Sequence, residues 1–330
     1  MKQRRMFMVL VVLAVGVIVT GCNPSTTTIT SQIATVQKQL VSYQTQAEMT
    51  IRHGDAIEKA YVATWYKSPG QYRIALYDGE HHLTQTVVRN ANGVYLLTPN
   101  DRIRYRMLGD FRQGQAQWYL YDALLAQLMT ISKWQVVHQK TTLLFQLPVI
   151  PSNPIVKTQS IQLVKKTYAP QEVVYYDQNK APVITMHYTR FVANSNIANA
   201  IFQPTLNVSG RPLKSPAMSY AGMQGGIYEP TVLPKNDYLS AETEQGNRIF
   251  LRYNGSHPFI IVEQAPIDLH LDLGRGTVGS ILDIPVFQVG SGKDQAYYWT
   301  NNGLAFSLIG LTQRNMAIEV IHSLLSNVEK

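Results

Sequence analysis

The chain has 330 residues, 45% of them hydrophobic, only 15% charged, and with tyrosine common at 19. That composition is globular, allows a sizeable core, and suits strands with one exposed face, where Tyr and Thr fit a pleated half-buried surface. The formal charge is +8, but no basic run exceeds two residues, which excludes a dedicated nucleic-acid face.

Lys2, Arg4 and Arg5 form a positive start, and Met6 to Val19 is an uncharged apolar run. That run is too short for a comfortable membrane helix of about 20 residues and has the layout of a signal peptide. It ends in Val19-Thr20-Gly21-Cys22, which resembles the bacterial lipobox. Small residues there let a peptidase bind extended backbone, and the thiol receives a diacylglyceryl group. Residues 1–22 are therefore read as a lipoprotein signal peptide, with Cys22 as the lipid-attachment residue. Each buried methylene adds about 0.8 kcal/mol, and more than one acyl chain gives stable anchoring. The expected location is the extracytoplasmic face of the cell membrane. Cys22 is the single cysteine, so no internal disulfide forms. Loss of the leader's three cations from the formal +8 leaves a mature charge near +5, a mild attraction for anionic lipid or cell-wall polymer.

Residues 23–28 are polar and unpatterned, which reads as a flexible tether. Ile29, Ile33, Val36 and Leu40 recur at helical spacing, predicting a helix over about 29–42. From Tyr43 the period becomes two. Strands are expected at 43–51, 57–66, 72–77, 83–88 and 94–98, separated by Gly, Pro and Asn turns. Trp118, Leu120, Tyr121, Leu124, Leu125 and Leu128 fit a second helix over 115–132. Strands resume at 134–139, 143–147, 160–163, 172–176 and 184–188. Consecutive strands joined by tight turns pair as neighbours, giving an antiparallel meander. The expected class is α+β: a curved antiparallel sheet, an open half-barrel, with the two helices as a lid on its concave face. This body is assigned to 29–210.

A Pro/Gly/Ser-rich stretch breaks the periodicity, and 211–234 is taken as a linker. Strands at 248–253, 259–263, 281–286, 296–300 and 304–309 and a helix at 314–325 follow. They make a smaller C-terminal α+β domain at 235–330.

Three features together resemble the lipoprotein-carrier superfamily, the LolA/LolB-like fold also used by the regulator RseB/MucB. They are the helix leading into a long hairpin, the turn-into-strand Ser68-Pro69-Gly70-Gln71-Tyr72-Arg73-Ile74, and Asn199-Ala200-Ile201-Phe202-Gln203-Pro204 closing the sheet. The tail, from Tyr298-Trp299-Thr300-Asn301-Asn302-Gly303 to Ile321-His322-Ser323-Leu324, is similar to a domain attached to such folds in spore-forming Gram-positive bacteria. The resemblance implies a sporulation- or germination-type envelope lipoprotein that holds a protein partner, an acyl chain or another lipoprotein. An RseB-like regulator of a membrane signalling protein, or an activator of a cell-wall enzyme, is the alternative. One departure stands out: carriers place an arginine before the first turn's proline, where this chain has Ser68 with Lys67 beside it. That departure, and the tether, favour a fixed scaffold or receptor over a shuttle.

Other motifs carry less. Gly274-Arg275-Gly276-Thr277-Val278-Gly279 matches the dinucleotide fingerprint in letters, but the β-rich run after it starts no helix, so it reads as a glycine-rich loop without a cofactor. Gly290-Ser291-Gly292-Lys293 has Asp294 where a phosphate loop needs Ser or Thr, and reads as a hairpin loop. His81 and His82, with His53 or His187, have the residue types of a metal half-site, but neighbouring strand residues point to opposite faces, so no metal is assigned. No nucleophile elbow, Ser-x-x-Lys helix or close carboxylate pair supports hydrolysis, and the chain is read as non-catalytic. The aromatics gather in the meander and the second helix. Trp65, Tyr72, Ile74, Tyr95, Trp118 and Tyr121 are the candidate ligand-binding residues of an apolar cleft between sheet and helix.

Overall fold

The structure, a computed structural model, describes residues 26–54, 56–99, 103–111, 118–131, 134–150, 153–205, 227–265 and 269–326. Cys22, the leader and the 206–226 stretch, which holds most of the expected linker, lie outside them. Helix α1 (Thr26–Gln39) starts inside the stretch expected as tether and stops short of residue 42. Ser31 and Thr35 return hydroxyls to the carbonyls of Thr28 and Ser31, which binds these turns together. Its apolar stripe is real: Ile29 and Ile33 are fully buried.

Period-two alternation then becomes a meander: β1 (Ser42–His53), β2 (Ala56–Lys67), β3 (Gln71–Tyr77), β4 (Leu83–Asn90) and β5 (Gly93–Leu97). A sixth strand, β6 (Ile103–Phe111), follows where the sequence reading placed none. Helix α2 (Tyr121–Thr130) is shorter than the expected 115–132. Trp118 and Tyr119 precede it in a turn because their carbonyls accept the hydroxyls of Tyr188 and Thr64. Strands β7 (Gln135–His138), β8 (Thr142–Pro148), β9 (Thr158–Val164), β10 (Pro170–Tyr176) and β11 (Pro182–Ala193) complete the first half. The second half holds β12 (Tyr238–Gln245), β13 (Arg248–Asn254), β14 (Phe259–Gln264), β15 (Leu269–Ile281), β16 (Ile284–Val289), β17 (Ala296–Asn301), β18 (Leu304–Ile309) and α3 (Arg314–Leu325).

All 18 strands belong to one large, open, curved sheet. The pairings run β7-β8-β9-β10-β11-β1-β2-β3-β4-β5-β6 through the first half. They continue β15-β16-β17-β18-β14-β13-β12 through the second. The two runs join at β6 and β15, the parallel pair in an otherwise antiparallel ladder of described strands.

This junction corrects the glycine-rich reading of 274–279: those residues form strand β15, not a loop. Gly276 lies opposite Gly109 of β6. A Cβ on Gly109 would collide with the carbonyl of Gly276, and one on Gly276 would meet the sulfur of Met107 at 2.6 Å. The glycines serve close backbone approach, which the letter match to a nucleotide fingerprint disguised. Gly290 to Lys293 does form the hairpin loop between β16 and β17.

Two main cores follow. One buries the inner face of β1–β6 and β8–β11 against α1 and α2, and takes in Val278 and Phe287 from the second half. The other surrounds Trp299 and Phe306, with Ala317, Ile318 and Ile321 of α3. Each fully buried large apolar side chain contributes about 1.5–3 kcal/mol relative to exposure. Among the described residues no helix is long and apolar enough to cross a membrane.

Candidate functional site

Strand alternation decides where the six candidate ligand-binding residues go. Tyr72 and Ile74 point to the inner face and enter the core that also holds Trp118 and Tyr121. Trp65 lies opposite Arg73, and Tyr95 opposite Val88, so both point to the other face. Tyr95 packs there in a small cluster with Val88 and Leu97. The six therefore do not line one cleft.

The inner face at the Tyr72 end is filled by the protein itself. Tyr43, Tyr66 and Tyr72 stand in register across β1, β2 and β3, with successive ring centroids 5.0 Å apart. Tyr121 meets Tyr43 edge-on at 5.7 Å and Phe191 at 4.7 Å. Trp118 meets Tyr175 edge-on at 4.3 Å. Asp122, in the first turn of α2, accepts the hydroxyls of Tyr43 and Tyr72, each at 2.7 Å. Burial lifts the Asp122 carboxyl above its usual value, and the two hydroxyls pull it back. Burial and the Asp122 charge push both phenols up, so they act as neutral donors. The carboxylate also sits favourably at a helix N-terminus. The network fastens α2 to the sheet.

The outer face carries a strap, residues 194–205. Ser42 of β1 donates to Ser195 O at 2.6 Å, and Lys67 of β2 donates to Asn199 Oδ1 at 2.7 Å and Ile197 O at 3.2 Å. Arg73 of β3 donates to the carbonyls of Ile201 and Gln203, and Asn90 of β4 to that of Phe202. The strap thus crosses four strands in order. Lys67, next to Ser68 at the β2–β3 turn, holds this strap. Arg73 is 2% exposed, and burial lowers its guanidinium to about 10.

Two rows along the strands from Tyr72 the inner face opens. A cleft of about 370 Å³ lies over Met49, Ala60, Leu76 and Gln85. The β3–β4 turn (Asp78, His82), the β15–β16 turn (Asp283) and the β17–β18 turn (Asn301 to Gly303) rim it. Gln85 donates through Nε2 to Thr300 O at 2.7 Å, tying the first half to the second. Tyr119 does the same, donating to Asp283 O at 2.6 Å. Burial and the neighbouring Glu58 charge raise the Asp283 carboxyl. The histidines serve separate contacts. His81 stacks on Tyr61 at 3.8 Å, His82 faces Asp78 at 3.2 Å, and His53 faces Glu58 at 3.3 Å. Among the described residues no group of three or more His, Cys, Asp or Glu is placed to hold a metal.

The family model for sporulation proteins of the YdcC-like type matches residues 2–202. The chain belongs to that family. The sporulation protein YdcC of Bacillus subtilis is 24% identical over 314 residues, covering 93% of each chain. Among solved structures, MucB is 14% identical with a TM-score of 0.36, covering 89% of this chain and 94% of that one. A LolA superfamily protein from Nitrosomonas europaea is 10% identical with a TM-score of 0.32, covering 55% of this chain and 98% of the other.

In this YdcC-like chain the sequence reading gave no role to Asp122 or Gln85, and named Arg73 and Thr300 only as parts of longer motifs. Asp122 did carry a signal: an acid just inside a helix start, between apolar neighbours. Gln85 and Thr300 are 215 positions apart, and pattern alone does not pair them.

Proposed function

We propose that this chain is a membrane-anchored extracytoplasmic lipoprotein of sporulation, a non-catalytic scaffold that holds an envelope protein through its surface. In this reading Cys22 carries the acyl anchor, α1 and α2 are the helical lid of a curved-sheet body, and residues 235–330 form its second domain. The observation that carries the scaffold reading is the tyrosine-filled inner face. Tyr43, Tyr66, Tyr72 and Tyr121 occupy the volume an acyl chain would need. That favours docking a protein on the exterior over storing a lipid within.

The test is capture of the full-length chain and of Cys22→Ala from sporulating cells, with palmitate labelling and mass spectrometry of everything retained. The expected result is a labelled membrane protein, an unlabelled and released variant, and one stoichiometric protein partner. A signalling-protein partner would point to the regulator, and a cell-wall enzyme to the activator. An equimolar acyl chain with no protein would overturn the scaffold, and full-length material beginning at Met1 in the cytosol would overturn the anchor.

A further inference from the structure

We propose that the cleft at the open end of the inner face binds a small ligand bearing a primary ammonium group beside hydroxyl or amide donors. This inference stands apart from the docking surface. It begins with two buried polar atoms. Gln85 is 4% and Thr300 1% exposed, both line the cleft, and Gln85 Oε1 and Thr300 Oγ1 have no hydrogen-bond partner among the described residues. The large majority of buried side-chain polar atoms in native proteins are paired, and these two unpaired atoms belong to residues of the same cleft. Because Gln85 Nε2 is already spent on Thr300 O, the amide atom left without a partner among the described residues is an acceptor.

The lining is predominantly acidic. Glu58, Asp78 and Asp283 line the cleft with His82, and among the described residues no Lys or Arg does. Asp78 is occupied by its own turn, accepting the backbone N–H of Glu80 and His82. Glu58 faces His53 at 3.3 Å. Asp283 has no ion-pair partner among the described residues, and an ammonium would supply one. Charged lining in a low-dielectric cleft selects the sign of its ligand. Met49, Ala60 and Leu76 give an apolar bed for a carbon skeleton. The volume of about 370 Å³ suits a monosaccharide or a single amino-acid side chain with its backbone.

The test is ligand-observed saturation-transfer NMR on the full-length chain in detergent micelles. The probes are glucosamine and Nα-acetyl-lysine amide, with N-acetylglucosamine as the uncharged comparator. At least one amine is expected to bind, with the comparator weaker by about tenfold or more. Tighter glucosamine identifies a free amino sugar, and tighter lysine amide a side chain presented by a partner. Asp283→Asn is expected to weaken the amine by about tenfold while keeping or raising the melting temperature, since the carboxylate is desolvated. Thr300→Val provides a second, milder loss of affinity. Equal binding of the uncharged sugar, no binding of either amine at millimolar concentration, or full affinity in Asp283→Asn would each overturn the proposal.

Discussion

The inner face of one sheet ends in two opposite ways. At the Tyr72 end the acceptors around α2 are answered: Asp122 takes two tyrosine hydroxyls, and the Trp118 and Tyr119 carbonyls take those of Tyr188 and Thr64, while the buried Trp118 Nε1–H has no partner among the described residues. At the Leu76 end, roughly 13 Å further along β3, Gln85 and Thr300 leave polar atoms unanswered beside a cleft. Both ends hold a carboxyl raised by burial, Asp122 and Asp283, but only the first is hydrogen-bonded by side chains. The difference teaches that the same sheet buries one carboxyl under its own tyrosines at one end and leaves another beside an open cleft at the other.

Four substitutions break or sharpen that contrast. Tyr121→Ala removes a fully buried ring against Tyr43 and Phe191 and should lower unfolding free energy by about 3–5 kcal/mol in urea titrations. Tyr43→Phe strips one donor from Asp122 and should cost about 1–3 kcal/mol. Asp283→Asn should act the other way. Its folded pKa is raised, so the aspartate's contribution is present below its unfolded value and lost as pH rises. The variant should therefore gain about 1–2 kcal/mol at neutral pH, with the gain vanishing below about pH 4 in thermal melts. Thr300→Val deletes a hydroxyl with no partner among the described residues and should stay within about 0.5 kcal/mol of the parent. A Thr300→Val loss as large as that of Tyr43→Phe would erase the contrast.

Most strands were legible because a half-buried strand writes its alternation into the sequence. The exceptions are informative. Ile103, Tyr105 and Met107 alternate with Arg104 and Arg106 as clearly as any strand, yet the sequence reading places no element between residues 98 and 115. Strand β12 is polar on both faces, so it offers no period to read. For β15, glycines chosen for backbone approach erased the side-chain pattern. The candidate aromatics were legible as buried or, for Trp65, half-buried, but not as split between faces. Trp65 and Tyr72 differ in parity along their strands, and the register that decides it belongs to the β2–β3 hairpin. Gln85 and Thr300 meet through tertiary packing alone.

The parallel join of β6 to β15 also governs what the molecule shows its neighbours. A sheet running on from one half to the other has only two outer margins, and exposed margins recruit foreign strands. One margin here, β7, is four residues long, and the other, β12, presents Glu242 and Glu244 to solvent. Cut between the halves, the same chain would bare β6, a long strand with apolar Leu108 on its exposed side, and would invite self-association.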